Sequence, residues 1–496
     1  VGRCTEKPRY IGVISGLVGI ARYCCFSNSI ENAYTAVMER VFYHAVDRGF
    51  APPFVPNVET VTRVLHEFTA QFRRLIRRTI PVALLVYPEE NYRGRKLLIY
   101  QRARDHMLGR TPGRKFGVLK SFIKHEKILQ KPGKRTVPRI IQPRSPEYNV
   151  CVGRYIRQLE HRIYSNIDKL WGGPTVMKGL NCTQQGQAIS DAWRTFSNPV
   201  GVMMDAVRFD QHVSIPMLQW EHSIYVAHFP PAYRHELQWL LSMQLHNRGR
   251  VSCPDGHLSY QVDGCRASGD MNTAMGNVLI MCATMWALVR ELHIKARLVN
   301  NGDDCCLIVE RRDLDRLRER VLPFYADLGF IIDVQGVATC LERVTFCQTH
   351  PVYDGRRWCM VRDPYLAISK DATVIKNWSP KEYAVYLHEL GVAGLQACGN
   401  MPVWASFYRC LARSHWDGPV SDGLKRHVSA PIQDSGLGRL SAGAHNTGPI
   451  TDAARASFGL AFRMLPQVQL ALESYYDQMS PGGSKMFNHP AISRQF

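Results

Sequence analysis

The sequence predicts an α+β fold, and three features carry that reading. Val152, Tyr155, Ile156, Leu159 and Ile163 recur at a helical period. The stretches "VGVMMDA" (200–206) and "VNNGDDCCLIVE" (299–310) read as a buried strand ending at a carboxylate and as strand, tight turn, strand. Beyond residue 350 helical patterns dominate. A chain of 496 residues exceeds the size at which one core keeps growing, so several subdomains are expected.

Residues 1 to about 150 are basic and interrupted by proline. There "QFRRLIRRTI" (71–80) places Arg73, Arg74, Arg77 and Arg78 at i, i+1, i+4 and i+5, which predicts one helix face, either solvated or tracking phosphates. Further on, "KHEKILQKPGKRTVPRIIQPR" (124–144) gathers Lys124, Lys127, Lys131, Lys134, Arg135, Arg139 and Arg144 around two extended segments. Charge alone makes this a sticky arm; beside a metal site it becomes the positive wall of a channel for a triphosphate. Lys and Arg total 62 against 42 Asp and Glu, a net charge of +20 that suits a polyanionic partner.

The 15 cysteines are odd in number and form no C-x-x-C pair, which argues against a zinc site or a secreted disulfide framework and for a reducing compartment. The apolar stretch Ile11 to Ala21 is too short to span a bilayer, and Val278 to Val289 has the length of a core helix, so no transmembrane helix is expected. The first residue is Val, and the expectation is a fragment or processed product with any anchor or address in a segment outside it.

The centre of the chain carries the chemistry. In "VNNGDDCCLIVE", Asn301-Gly302 supplies the backbone freedom of a hairpin and leaves Asp303 and Asp304 at its tip. Adjacent carboxylates are costly unless a cation neutralises them, and a hard divalent ion prefers carboxylate oxygen; the plain alternative is a solvated turn. In "MMDAVRFDQHVS" (203–214), Asp205 ends the apolar strand and Asp210 follows past a turn. Carboxylates converging from separate strands are what two-metal phosphoryl transfer requires, with ions about 4 Å apart, and Asp304 serves as an auxiliary ligand.

Between these stretches, "CRASGDMNTAMGNVLIMCATMWALV" (265–289) predicts a small-residue loop at Ser268-Gly269 running into a long apolar helix, with Asp270 or Asn272 as its cap. Thr273 and Asn277 share one face. Asn277 lies within the apolar run and needs a hydrogen-bonding partner. Toward the C-terminus, "SGLGRLSAGAHNTGP" (435–449) reads as a mobile linker.

In order, "KHEK" with "RTVPRIIQPR", "DAVRFDQHVS", "SGDMNTAMGN", "NGDD" and "VTFCQ" resemble motifs F, A, B, C and E of viral RNA-dependent RNA polymerases. "YNVCVGRYIRQLEHRIY" and "GGPTVMKGLN" resemble the tombusvirus-like plant virus group, with weaker likeness in "ENAYTAVMERVF" and "ALESYY". The resemblance implies a right-hand fold: fingers over 1–199 including motif F at 120–144, palm over 200–215 and 263–350 built on an antiparallel sheet with helices, a fingers insertion at 216–262, and a mostly helical thumb over 351–496.

It further implies that Asp205, Asp303 and Asp304 hold two Mg2+ ions, with Mn2+ as substitute. Asp210 and Asn277 then meet the ribose 2′-hydroxyl, supported by Ser268 and Thr273. Lys124 and Arg139 meet the triphosphate, Glu126 braces them, and Phe346-Cys347-Gln348 steadies the 3′ end. Arg73, Arg74, Arg77, Arg78, Lys131, Lys134 and Arg135 are expected on RNA.

The implied partners are RNA template and product, ribonucleoside triphosphates, an auxiliary viral replication protein and, through a segment outside this chain, host membrane in cytoplasmic replication complexes. One departure stands out: "LGFIIDVQGVATCLERV" (328–344) contains no lysine, so the resemblance assigns no proton donor for pyrophosphate. A two-metal nuclease shares the aspartates but has no use for a ribose-sensing Asn277, and a non-catalytic RNA-binding replication factor explains the charge without the carboxylates.

Overall fold

A computed structural model of the chain describes residues 9–481 except 15, 18, 20, 132 and 134. The first helix, α1 (Ile30–Val37), is capped by the Ser29 side chain and passes into a π-helical turn, Met38–Phe42. Next, α2 (Val58–Leu75) buries Val61, Leu65, Phe68 and Phe72, one stripe at helical spacing. It stops at Leu75 because Ile76 turns extended and the Thr79 N–H donates to the His228 carbonyl at 2.8 Å. The four arginines therefore do not share a helix face. Arg73 and Arg74 occupy the last turn, Arg77 and Arg78 lie beyond it, and all four are exposed.

Two short strands, β1 (Leu119–Ile123) and β2 (Ile140–Ile141), follow. The helical run expected from Val152 to Ile163 divides into α3 (Pro146–Ile156) and α4 (Glu160–Trp171), joined by a 3-10 turn at Arg157–Leu159. Helix α5 (Cys182–Trp193) then leads to the centre of the molecule.

There the chain forms β3 (Pro199–Ala206), α6 (Phe209–His212), α7 (Ile215–Ala227), α8 (Pro231–Ser242), β4 (His246–Cys253), β5 (Gly256–Asp263) and α9 (Thr273–Glu291). It continues as β6 (Ala296–Asn300), β7 (Asp304–Glu310), α10 (Leu314–Asp327) and β8 (Ile332–Ala338). The central sheet has the order β6-β7-β3-β8 and is antiparallel throughout. A second sheet, β5-β4-β1-β2, includes one parallel pair, β1 with β4.

Period-2 alternation divides the central sheet between two cores. Val200, Val202, Met204, Cys305, Leu307 and Val309 pack with α9 and the N-terminal helices. Met203, Cys306 and Ile308 pack with α5 and the C-terminal helices. Although α9 is long and apolar enough to cross a membrane, most of that length is buried inside the protein.

After β9 (Thr349–Tyr353) and β10 (Trp358–Arg362) the chain is largely helical. The expected linker at 435–449 is instead packed structure: it contains a helix, Gly436–Ser441, and Asn446, fully buried, donates to the Ala397 carbonyl at 2.6 Å. Its Gly and Ser content serves close packing and left-handed turns at Gly443 and Gly448.

Candidate functional site

The β6–β7 hairpin places the paired aspartates. Asn300 pairs with Cys305, Gly302 adopts φ +98°, and the Asn301 N–H donates to the Asp304 carbonyl at 3.0 Å, so Asp303 stands at the tip and Asp304 opens β7. Asp304 is the cross-strand partner of Asp205 on β3, and Asp205 is in turn the partner of Asp333 on β8. Directly opposed residues project to the same face, so three strands contribute a row of carboxylates, with Asp303 at its end.

Burial, then Asp304, Asp303 and Asp333, push the Asp205 carboxyl up to about 7. Desolvation in the cleft, followed by Asp304 and Asp210, raises that of Asp303, and burial raises that of Asp304. Among the described residues no three His, Cys, Asp or Glu side chains are grouped so that they could hold a metal ion as they stand. The donor set is hard carboxylate oxygen whose repulsion Lys131 and Lys178 offset only in part, since all three carboxyls stay raised, which fits a divalent cation.

Beside this row, Asn277 on α9 is 8% exposed and donates from Nδ2 to Asp210 Oδ1 at 2.7 Å. Ser268 Oγ donates to the other oxygen of Asp210. Thr273 Oγ1 donates to the Ala267 carbonyl at 2.9 Å and so ties the loop to the helix start. The partner that Asn277 needed is thus Asp210, yet Asn277 Oδ1 remains buried without one. Of the two expected caps, Asn272 is the cap residue, though its side chain binds Glu221 and Gln244 and makes no capping bond, while the Asp270 carboxylate takes the Arg144 guanidinium.

In the basic segment, the Lys124 N–H donates to the Arg139 carbonyl at 2.8 Å, and Glu126 binds both side chains, Lys124 at 2.8 Å and Arg139 at 3.4 Å. Lys131 is exposed and lowers the Asp205 pKa, while Arg135 sits on Glu39 at 2.9 Å. Lys134 lies outside the described residues.

Of the expected wall cations, Arg144 is not in the wall. Lys127 lines the same cavity as Lys124 and Glu126 but donates to the Lys370 carbonyl at 2.7 Å, and burial lowers its pKa to about 8. Arg144 is 3% exposed and is consumed by Asp270, Asn247 and two carbonyls, because desolvating a guanidinium demands full pairing. Nor does the structure gather Arg73, Arg74, Arg77 and Arg78 at the carboxylates; Arg73 lines a separate cavity of about 480 Å³ with residues of α7 and α8.

Phe346, Cys347 and Gln348 form the turn before β9, closed by the Phe346 N–H to the Thr349 carbonyl at 2.9 Å, with Cys347 and Gln348 at φ 50° and 60°. Asn301 Nδ2 donates to Cys347 Sγ at 3.1 Å, which joins this turn to the aspartate hairpin. A cavity of about 550 Å³ opens between Lys124, Glu126, Cys347, Gln348, Lys370 and Lys376.

The profile of the viral RNA-dependent RNA polymerase family matches residues 2–482. The chain belongs to that family. It is 40% identical over 475 residues to the RNA-directed RNA polymerase of Turnip crinkle virus, covering 95% of this chain and 60% of the relative. Identity to the enzyme of the same name from Tobacco necrosis virus (strain A) is 38%, covering 95% and 64%, and to that from Carnation mottle virus 36%, covering 95% and 61%. The chain therefore spans less than two thirds of the length of each of these relatives.

Within this polymerase-family chain, four residues near the site carry no signal that a single sequence exposes. Asp333 joins the row only through strand register, and Glu39 and Arg208 meet across 169 positions. Lys178 lies in "GGPTVMKGLN", but only the fold shows that its Nζ donates to Asn301 Oδ1 at 3.0 Å.

Proposed function

We propose that this protein synthesises RNA on an RNA template from ribonucleoside triphosphates, in viral genome replication, by two-metal-ion nucleotidyl transfer. The observation that carries the reading is the row Asp304-Asp205, with Asp303 at its end, set beside an Asn277–Asp210 pair that has one buried acceptor unused. Asp205, Asp303 and Asp304 are the residues for two Mg2+ ions, or Mn2+ in their place. Bound divalent ions supply charge stabilisation for the attacking and leaving oxygens.

The chain's own residues do the rest. Lys124 and Arg139, oriented by Glu126, receive the triphosphate by charge-assisted hydrogen bonds. Asn277 Oδ1 accepts from the ribose 2′-hydroxyl, while Asp210, fixed by Ser268, orients the amide. The Phe346-Cys347-Gln348 turn, tethered to Asn301, supports the 3′ end. Lys131, Lys134, Arg135 and the arginines 73, 74, 77 and 78 contact RNA phosphates. No lysine occurs in 328–344 to protonate pyrophosphate.

In this reading the central sheet with α9 is the palm (200–215 and 263–350), residues 1–199 and 216–262 are fingers, and 351–496 the thumb. Action in the host cytoplasm, membrane attachment and an auxiliary viral replication protein belong to the same reading. The deciding experiment offers purified protein a defined RNA template with ribonucleoside triphosphates and Mg2+ and compares product length with template length. Template-length product supports synthesis starting at the 3′ end. RNA binding without nucleotide addition, or degradation of the template, overturns the reading.

A further inference from the structure

The stretch "ENAYTAVMERVF" contains an acid, Glu39, that is only 8% exposed. Helix α1 does not end normally before it but widens into the π-helical turn Met38–Phe42, closed by the Tyr43 N–H to the Met38 carbonyl at 2.8 Å. Such turns are rare and shift side chains out of helical phase, frequently at functional sites. Here Glu39 and its neighbour Arg40 both reach the walls of the site.

The Glu39 carboxylate takes Arg135 Nη1 at 2.9 Å on one oxygen and Arg208 Nη2 at 3.6 Å on the other. Arg208 also donates to the Glu39 carbonyl and to the Tyr43 carbonyl, the latter at 3.2 Å, and Gln211 Nε2 donates to the Tyr43 carbonyl at 2.8 Å. Arg40 meanwhile donates to the carbonyls of Pro138 at 3.0 Å and Val137 at 3.1 Å. One turn therefore grips two segments at once: the basic segment leading to Arg139, and the turn between Asp205 and Asp210.

That second turn needs holding. Arg208 occupies the left-handed region, φ 50° and ψ 49°, which costs a non-glycine residue energy unless its surroundings over-determine it. Arg40, Arg135, Arg139 and Arg208 also crowd one another: burial first, then Arg139 and Arg208, press the Arg40 pKa down to about 10. Glu39 and Glu126 are the carboxylates that offset this crowding. Without the charge on Glu39, Arg135 and Arg208 repel across the gap it now fills.

We propose that Glu39 and Arg40 form a bracket of positioning residues that holds the triphosphate-binding segment in register with the carboxylate strand. The inference rests on the polymerase reading for its kinetic consequence, but the mechanical link stands on the contacts themselves. Glu39→Gln keeps the shape and removes the charge. It is expected to raise KM for the nucleotide roughly tenfold, the size of one lost charge-assisted hydrogen bond, with a smaller change in kcat and in template affinity. Glu39→Gln combined with Arg208→Ala should be no worse than the worse single variant, since both cut the same link.

Hydrogen exchange supplies a readout independent of activity: amides in 135–141 and 207–211 should exchange faster in Glu39→Gln, with the far helices unchanged. Unaltered KM in an active protein, additive effects in the double variant, or unaltered exchange in both segments each overturns the bracket. A wild-type protein that adds no nucleotide counts against the polymerase reading, and exchange then decides the bracket alone. Should Glu39→Gln fail to fold, Arg40→Lys, which keeps the charge and loses the two-carbonyl grip, is measured in the same way, and unaltered exchange at 135–141 again overturns it.

Discussion

Behind the start of α9, Arg144 holds Asp270 at 2.6 and 3.2 Å and Arg266 is locked onto Glu221, with Asn247, Asn272 and Gln244 completing the set. In front of the same helix start, Asp205, Asp303 and Asp304 face one another with no guanidinium among them. Both regions cluster charge on one scaffold. In the first, each ion meets its opposite, and the network holds loop to helix. In the second, carboxylates are left opposed with Lys131 and Lys178 offsetting them only in part, a cost that folding alone does not explain and that ligand binding can recover. Unrelieved polarity is thus the better guide to chemistry than charge density.

The sharpest way to break this contrast is to delete one carboxylate from each side. Asp303→Ala is expected to abolish nucleotide addition while leaving the fold and RNA binding intact, because a repulsive group is lost and phosphate contacts remain. Near wild-type synthesis would show that the front cluster is ordinary surface. Asp270→Ala should do the reverse and destabilise the fold by about 3–5 kcal/mol, since Arg144 is left buried without its counter-ion. A denaturant midpoint close to wild type would remove the distinction from the other side.

Asn277 stands on the boundary, satisfied on one atom and open on the other. Asn277→Val should erode the preference for ribonucleotides over deoxynucleotides by about 10- to 100-fold, the worth of an unsatisfied buried polar group of about 1–3 kcal/mol. An unchanged ratio of catalytic efficiencies would assign Asn277 to the structural side. Arg139→Ala, by the same logic, should weaken nucleotide use more than template affinity, because its contacts are local; equal losses would mark it as a template contact.

The smallest effect concerns protons. With no divalent ion present, the Asp205 carboxyl titrates near 7 in the fold against an ordinary value of 3.8. Between those values the folded state binds more protons than the unfolded one, so stability falls as pH rises from about 4 to about 7 and levels off above. Adding Mg2+ at neutral pH should restore Tm, and Asp205→Asn should flatten this part of the profile. A Tm that is indifferent to Mg2+ in the wild type would mean that the repulsion is not relieved there.

Much of this site is legible in sequence because its parts are local. Asn301-Gly302 between two apolar runs can hardly be other than a hairpin, and "VGVMMDA" is too short and too apolar for anything but a buried strand. The demand of Asn277 for a partner is legible too, since an amide inside an apolar helix must bond to something. The segment 435–449 misleads for a physical reason: glycine and serine suit mobility and close packing equally, and the contact of Asn446 with Ala397 spans 49 residues.

By itself, then, the sequence determined the central strands, the turn that bears the aspartates and the sign of the surrounding charge, all of which follow from interactions within a few residues. Only the tertiary structure decided which charge meets which. Arg139 and Arg144 are five residues apart in one basic stretch, yet Arg139 is left half exposed beside Glu126 while Arg144 is sealed onto an aspartate 126 positions away. Asp333 enters the carboxylate row solely because β8 pairs with β3 in that register. Burial and pairing set the energy of a charge, and both are properties of distant neighbours that no local spacing encodes.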